Sequence, residues 1–179
     1  MIEIQRIQQE YYNKIENDGR AKIEEVENYL KGLNIEYKIW YHPALPTIKE
    51  VLEFWDEMDG AHCKNLFFRN HKGNRHYLVI IECHKDLEIA ALERRLKEGK
   101  LTFASPHRLE KHLGVKGGAI GPFGLLNNSD KGVILFIDTD LQKEERISFH
   151  PNDNRASISL SFKDFIYYLE ERGNLYHFI

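Results

Sequence analysis

Cysteine is scarce: Cys63 and Cys83 are the two thiols in 179 residues. A disulfide framework is therefore excluded, and none is needed, because a chain of this length buries roughly 70% of its unfolded surface in one core. Long apolar runs are missing as well. No stretch approaches the roughly 20 residues that span a bilayer, and the N-terminus lacks the order of charged, apolar and small residues of a signal peptide, so a reducing cytoplasm is the expected location. A large charge of one sign is absent too. The 25 basic and 28 acidic side chains leave −3, which argues against a general nucleic-acid coat. The glycines match neither the GxxxxGK[ST] pattern of a P-loop nor the strand-to-helix setting of a dinucleotide fingerprint.

The charge that is present is unevenly spread. Residues 69–116 hold 11 basic and 6 acidic side chains, while both flanks are acidic. Solvated helix faces account for most such asymmetries, so the basic segment supports a nucleic-acid partner without establishing one.

Apolar spacing predicts two opening helices, through Ile4, Ile7, Tyr11 and Ile15 and through Ile23, Val26, Leu30 and Leu33, parted near Asp18-Gly19. Residues 1–19 read as a helical extension to a domain over 20–179. Tyr37 to Tyr41 reads as a strand that His42-Pro43-Ala44 ends. Thr47 and Glu50 have capping-box spacing before a helix to about Met58. Two apolar runs, Cys63 to Arg69 and His76 to Glu82, flank a turn at Asn70 to Asn74 and predict a hairpin. Asp86 is placed to cap a helix stopped at Gly99, and Ser105-Pro106 opens a short helix ending at Gly114. Strands are expected at Gly132 to Asp138, Arg146 to Phe149, Ala156 to Leu160 and Leu175 to Ile179, with a helix from Ser161 to Gly173 before the last. The hairpin and the short connections favour one α/β domain with a mixed, largely antiparallel, barrel-like sheet flanked by helices.

Two residues stand out chemically. Lys64 and His150 each interrupt an apolar strand-like run, where a titratable group costs several kcal/mol unless partnered. A strand lysine most often reaches solvent or a carboxylate, and a strand-end histidine is most often a hydrogen-bonded structural one. Alternation aims Asn65 away from Lys64 unless the backbone twists there; were both to line one pocket, they could hold a phosphate or an ester carbonyl. A turn centred near Gly73 is expected to set Cys63 opposite Cys83, with His62 and His84 as neighbours. Adjacent Cys and His alternate faces and the spacing fits no standard finger, so small buried side chains are expected in preference to a zinc site or a cysteine nucleophile.

Read together and in order, these motifs resemble the prolyl-tRNA editing family, the YbaK/ProX-like domains, and within it the free-standing ProX type. The carriers are His42-Pro43-Ala44 with Thr47 to Glu50, Lys64 to Phe68, Leu101 to Pro106 with Leu113-Gly114-Val115, Gly118 to Asn128, and Phe149-His150-Pro151 with Asn154 and Ser157. The resemblance runs from about residue 20 to the C-terminus. It implies hydrolysis, in trans, of mischarged tRNA(Pro), with alanine the first amino acid to test, and no metal or cofactor. It implies functional roles for Lys64, Asn65 and His150 and an aminoacyl pocket shaped by Gly118, Ala119, Ile120, Gly121 and Pro122, with Asn154 beside it. On this reading Lys64 is a fixed positive charge on a phosphate or on the ester, and losing such a donor costs on the order of a hundred- to a thousandfold in rate. Arg69, Lys72, Arg75, Arg94, Arg95 and Lys116 would steer the tRNA backbone, and prolyl-tRNA synthetase is a further expected partner. Asn152-Asp153, Gly121 and Gly124 depart from the family's usual residues. The competing reading is a non-catalytic module of the same fold that binds tRNA or synthetase.

Overall fold

The computed structural model describes residues 2–44 and 59–179; the helix expected from Thr47 to Met58 lies outside them. Helices α1 (Ile2–Lys14) and α2 (Asn17–Gly32) open the chain, and α2 seals Ile23, Val26 and Leu30 completely from solvent. The break falls at residues 15–16, so Gly19 lies inside α2 and does not separate the helices. Its role is close approach: a Cβ there would stand 2.4 Å from Arg155 Nη2 and 2.6 Å from Asp153 Oδ2.

Eight strands follow, β1 (Tyr37–Tyr41), β2 (Ala61–Arg69), β3 (His76–Glu82), β4 (Thr102–Phe103), β5 (Val133–Ile137), β6 (Arg146–Phe149), β7 (Ala156–Ser161) and β8 (Tyr176–Phe178). Helices α3 (Ile89–Leu96), α4 (Pro106–Leu113) and α5 (Phe162–Arg172) lie between them. The sheet order is β1-β7-β6-β2-β3-β5-β8, with β4 beside β2. Pairs β1/β7, β2/β3, β2/β4 and β6/β7 are antiparallel; β2/β6, β3/β5 and β5/β8 are parallel. This is the mixed, largely antiparallel sheet flanked by helices that the sequence predicts.

The sheet curls around one core. Phe67, Leu78 and Leu135 from one half meet Ile147, Phe149 and Ile158 from the other, covered by α2, α4 and α5. The opposite face of β3 and β5 packs Tyr77, Val79, Ile81 and Phe136 against Leu92 of α3. Strand β3 is thus buried on both sides and reads as a continuous apolar run. At the sheet edge, Gln8 of α1 accepts from the backbone N–H of Tyr41, which satisfies a donor that β1 would otherwise leave open.

Some local expectations shift. The hairpin register places Cys63 opposite Glu82, one residue from the expected Cys83, because Asn70 N closes on Arg75 O and sets the turn. Asp86 does not cap α3; Glu88 holds that position, and Lys97 ends the helix in a left-handed conformation before Gly99 is reached. Ser161 does cap α5, its Oγ accepting from Asp164 N at 3.0 Å, and Gly173 ends that helix with φ 72°.

Candidate active site

Strands β2 and β6 pair only at Ala61 with Ile147 and His62 with Ser148, and then diverge. A cavity of about 20 Å³ opens in that split, lined by His62, Cys63 and Asn65 from β2, Ser148, Phe149 and His150 from β6 and its end, and Ser157 from β7. Such a volume accommodates about one water molecule.

Asn65 supplies the cavity's unmet polar atom. Its Nδ2 donates to Cys63 O at 3.3 Å, while Oδ1 is buried with no hydrogen-bond partner among the described residues. A buried acceptor left without a donor costs about 1–3 kcal/mol, and such an atom marks a place where a ligand or water completes the bonding.

His150 is held by the backbone. Its Nδ1 lies 2.7 Å from Ala156 O. A carbonyl only accepts, so Nδ1 carries the proton and Nε2 presents its lone pair. Burial pushes the His150 pKa down, against the Ala156 carbonyl and Asp153, which favour the proton. The ring is therefore neutral near pH 7.

A second histidine, not singled out among the site residues in the sequence, completes the arrangement. His42 Nδ1 faces Pro43 O at 2.9 Å and its Nε2 faces Ser157 Oγ at 3.0 Å. By the same reasoning the Ser157 hydroxyl donates to His42. Its lone pairs then face His150 Nδ1 at 3.4 Å, with the two imidazole centroids 5.7 Å apart. Burial drives the His42 pKa down to about 4.

The glycine loop closes on this region. Gly121 is extended and packs against the end of β6, where a Cβ would meet His150 O at 3.6 Å. Gly118 has φ +90°, and a Cβ would lie 3.3 Å from Asn154 Nδ2. Ala119 and Pro122 are buried in the same loop and Ile120 packs against the core. The unusual residues after His150 also acquire reasons. Asn152 adopts φ 61°, which asparagine tolerates, and donates to Phe123 O at 3.3 Å. Asp153 forms a two-pronged pair with Arg155, at 2.8 Å on each prong. Gly124 has no room for a side chain, since a Cβ would stand 2.8 Å from Leu113 Cβ.

Lys64 is not among the residues that line the cavity. Its Nζ donates to Lys85 O at 2.8 Å and lies 3.7 Å from Asp86 Oδ1. Strand alternation is the cause: Asn65 and Phe67 look toward the main core, Lys64, Leu66 and Phe68 toward the opposite face. The expected convergence of Lys64 and His150 on one cavity is thereby corrected; Asn65 and His150 converge, and Lys64 stands across the strand. Of the basic residues, Lys116 adjoins the glycine loop and is exposed. Arg69, Lys72 and Arg75 gather at the far end of the β2/β3 hairpin. Arg94 and Arg95 lie on α3, where Arg95 Nη1 donates to Phe178 O at 3.0 Å.

Both thiols are held protonated. Burial pushes Cys63 well above the usual thiol range, and burial together with the Glu82 carboxylate pushes Cys83 up to about 12. Among the described residues, the group that brings three possible metal donors within 4.8 Å is Glu82, Cys83 and His84, which is not the cavity's donor set.

The chain is similar to known proteins in sequence and in fold. A family model described as an aminoacyl-tRNA editing domain matches residues 42–168. The chain is 35% identical over 147 residues to the prolyl-tRNA editing protein ProX of Acetoanaerobium sticklandii, covering 82% of this chain and 90% of that protein. It is 30% identical over 155 residues to prolyl-tRNA synthetase associated domain-containing protein 1 of Mus musculus, covering 84% and 90%. A solved structure described as a candidate trans-editing enzyme for prolyl tRNA synthetase has the same fold, with TM-score 0.68, 18% identity and coverage of 92% of this chain and 97% of that one.

Proposed function

The chain belongs to the aminoacyl-tRNA editing domain family, and on that premise we propose that it is a trans-editing hydrolase that deacylates mischarged tRNA(Pro), with alanyl-tRNA(Pro) as its substrate. The observation that carries the reading is the cavity shared by Asn65 and His150, where the buried Asn65 Oδ1 lacks a partner. An aminoacyl ester is already activated. Hydrolysis asks for a water held at the carbonyl and for dipoles aimed at the charge that develops on its oxygen.

In this reading Asn65 orients the aminoacyl group, its Nδ2 as a donor and its Oδ1 as an acceptor for the substrate's ammonium. His150 Nε2 accepts a hydrogen bond from the terminal ribose, whose neighbouring hydroxyl activates the water. The loop Gly118 to Pro122 does not line the cavity itself but backs it, Gly121 packing against the His150 carbonyl. The choice of alanine over proline follows the family resemblance, and the cavity of about 20 Å³ holds about one water molecule, which suits the attacking water. Attraction alone separates the two side chains by only about 1–3 kcal/mol, whereas steric exclusion of the larger one is decisive.

Lys64 takes the phosphate role in preference to the ester role. Its place across the strand from Asn65 supports that choice, as does its ready partner in Asp86, which a phosphate would replace. The pocket works without a metal in this scheme, so exhaustive chelation leaves turnover unchanged.

The deciding experiment compares deacylation of alanyl-, seryl-, cysteinyl- and prolyl-tRNA(Pro) by the purified protein. Rapid loss of alanine with sparing of proline is expected. Tight tRNA binding with no hydrolysis of any of these esters defeats the proposal and leaves a non-catalytic tRNA-binding module.

A further inference from the structure

Strand β4 carries an aromatic ring with no partner on its outer side. Phe103 is 59% exposed. Its ring stacks on the fully buried Phe68, with centroids 4.6 Å apart and planes at 28°. A ring held flat by a buried neighbour is oriented before any ligand arrives, and every nucleobase offers a face to such a platform.

The surroundings are cationic. Arg69 is the register partner of Thr102, immediately before Phe103. Gly99 abuts the hairpin turn, a Cβ there standing 3.0 Å from His71 Cβ, and Arg108 Nη1 donates to Gly73 O at 2.8 Å. The hairpin turn, the loop before β4 and the start of α4 are thus contiguous and bear Lys72, Arg75, Lys100 and Arg108, while Arg69 Nη1 donates to the turn carbonyls of Asn70 and His71. Against them stands Glu98, which Arg75 and Asn70 already engage.

This surface connects to the cavity along β2. Strand β6 pairs with residues 61–62 and β4 with residues 68–69, so between them the outer edge of β2 is without a paired strand among the described residues. Asn65 and Phe68 are about 10 Å apart along the strand, with Leu66 between them on the Phe68 face and Lys64 one position beyond Asn65 on that same face. A single strand laid on that edge reaches the cavity with its end and Phe103 with a base behind it.

We propose that Phe103 is the stacking platform for an unpaired base of the RNA strand whose terminal ester enters the cavity, with Lys100 facing its phosphates. The proposal rests on the hydrolase reading for the position of that end. Its occupant is single-stranded RNA because an open aromatic face within a cationic surround is what unstacked bases and their phosphates together require.

The test measures binding of a labelled single-stranded RNA with the tRNA 3′ sequence, and hydrolysis of both alanyl-tRNA(Pro) and an alanyl ester of adenosine alone. Phe103→Ala is expected to weaken RNA binding about 5- to 150-fold and to raise KM for the tRNA, with the adenosine ester hydrolysed as before. Phe103→Trp is expected to retain binding. Phe103→Leu keeps Phe68 covered, so it guards against a folding artefact, and it binds as weakly as the alanine variant. RNA affinity within twofold of the parent for Phe103→Ala or Phe103→Leu, no RNA binding by the parent, or equal loss on the adenosine ester overturns the proposal. A protein that hydrolyses neither ester yet shows ring-dependent RNA binding refutes the hydrolase reading and sustains this one.

Discussion

Ser157 Oγ stands 3.0 Å from His42 Nε2, so a hydroxyl on β7 fixes the imidazole that follows β1 and, through its lone pairs, faces His150 as well. The three side chains form a chain of neutral donors and acceptors behind the cavity. Ser157→Ala leaves a buried His42 nitrogen without its donor and is expected to cost about 1–3 kcal/mol in a denaturant titration. The Ala156 carbonyl still holds His150, so deacylation by Ser157→Ala falls less than by His150→Ala, for which a loss on the order of a hundred- to a thousandfold is expected. Equal rates for the two variants would remove His150 from the reaction.

The same histidines make stability depend on acidity. Burial lowers His42 from 6.5 to about 4, and burial with His112 and Arg108 nearby lowers His76 from 6.5 to about 4. Between those values the unfolded chain binds protons that the folded one refuses. Stability is therefore full above pH 6.5, declines as pH falls below it, and levels off near 4, with His42 alone contributing on the order of 3 kcal/mol. Urea midpoints measured from pH 7.5 to 4 check this, and His42→Gln flattens part of the slope. A midpoint independent of pH across that window contradicts the burial of both rings.

Asn65 is expected to trade stability for activity. Asn65→Leu removes an unmet buried acceptor, so the folded state is as stable as the parent or more so while deacylation drops on the order of a hundredfold. Thermal melts and single-turnover kinetics on the same preparation decide it. A variant both active and stabilised would make Asn65 a spectator.

Lys64 across the strand predicts a salt signature. Lys64→Ala lowers kcat/KM on the order of a hundredfold and, if a phosphate is its partner, reduces the slope of log kcat/KM against log salt by about one. Loss of rate with an unchanged slope would return Lys64 to the ester.

Gly124 tests the packing beneath the glycine loop. Gly124→Ala puts a methyl group 2.8 Å from Leu113 Cβ and 3.0 Å from Leu113 O, so α4 must shift. A cost of about 1–3 kcal/mol is expected from overpacking. Gly121→Ala meets His150 O at an ordinary 3.6 Å and leaves stability near the parent value. Equal melting temperatures for the two variants would contradict the contact with Leu113.

Much of the fold is legible from local pattern. Ser161 with Asp164, Gly173, Pro106 and the Asn70 to Asn74 turn are recognisable because caps and turns involve neighbours in the chain. The two-residue β4 is too short to show periodicity, and Phe103 with it. Gly19 looks like a helix break because its actual reason, the approach of Asp153 and Arg155, comes from the other end of the chain.

Helices, strands and the motifs that announce the family are written locally, since each rests on residues a few positions apart. Which side chains meet depends on the assembled sheet. It turned Lys64 away from His150, set Cys63 opposite Glu82 by a single-residue register, and joined His42 to Ser157 across 115 residues. The physical reason is that a strand's alternation sorts its side chains into two faces, while strand order and crossovers alone determine what each face confronts.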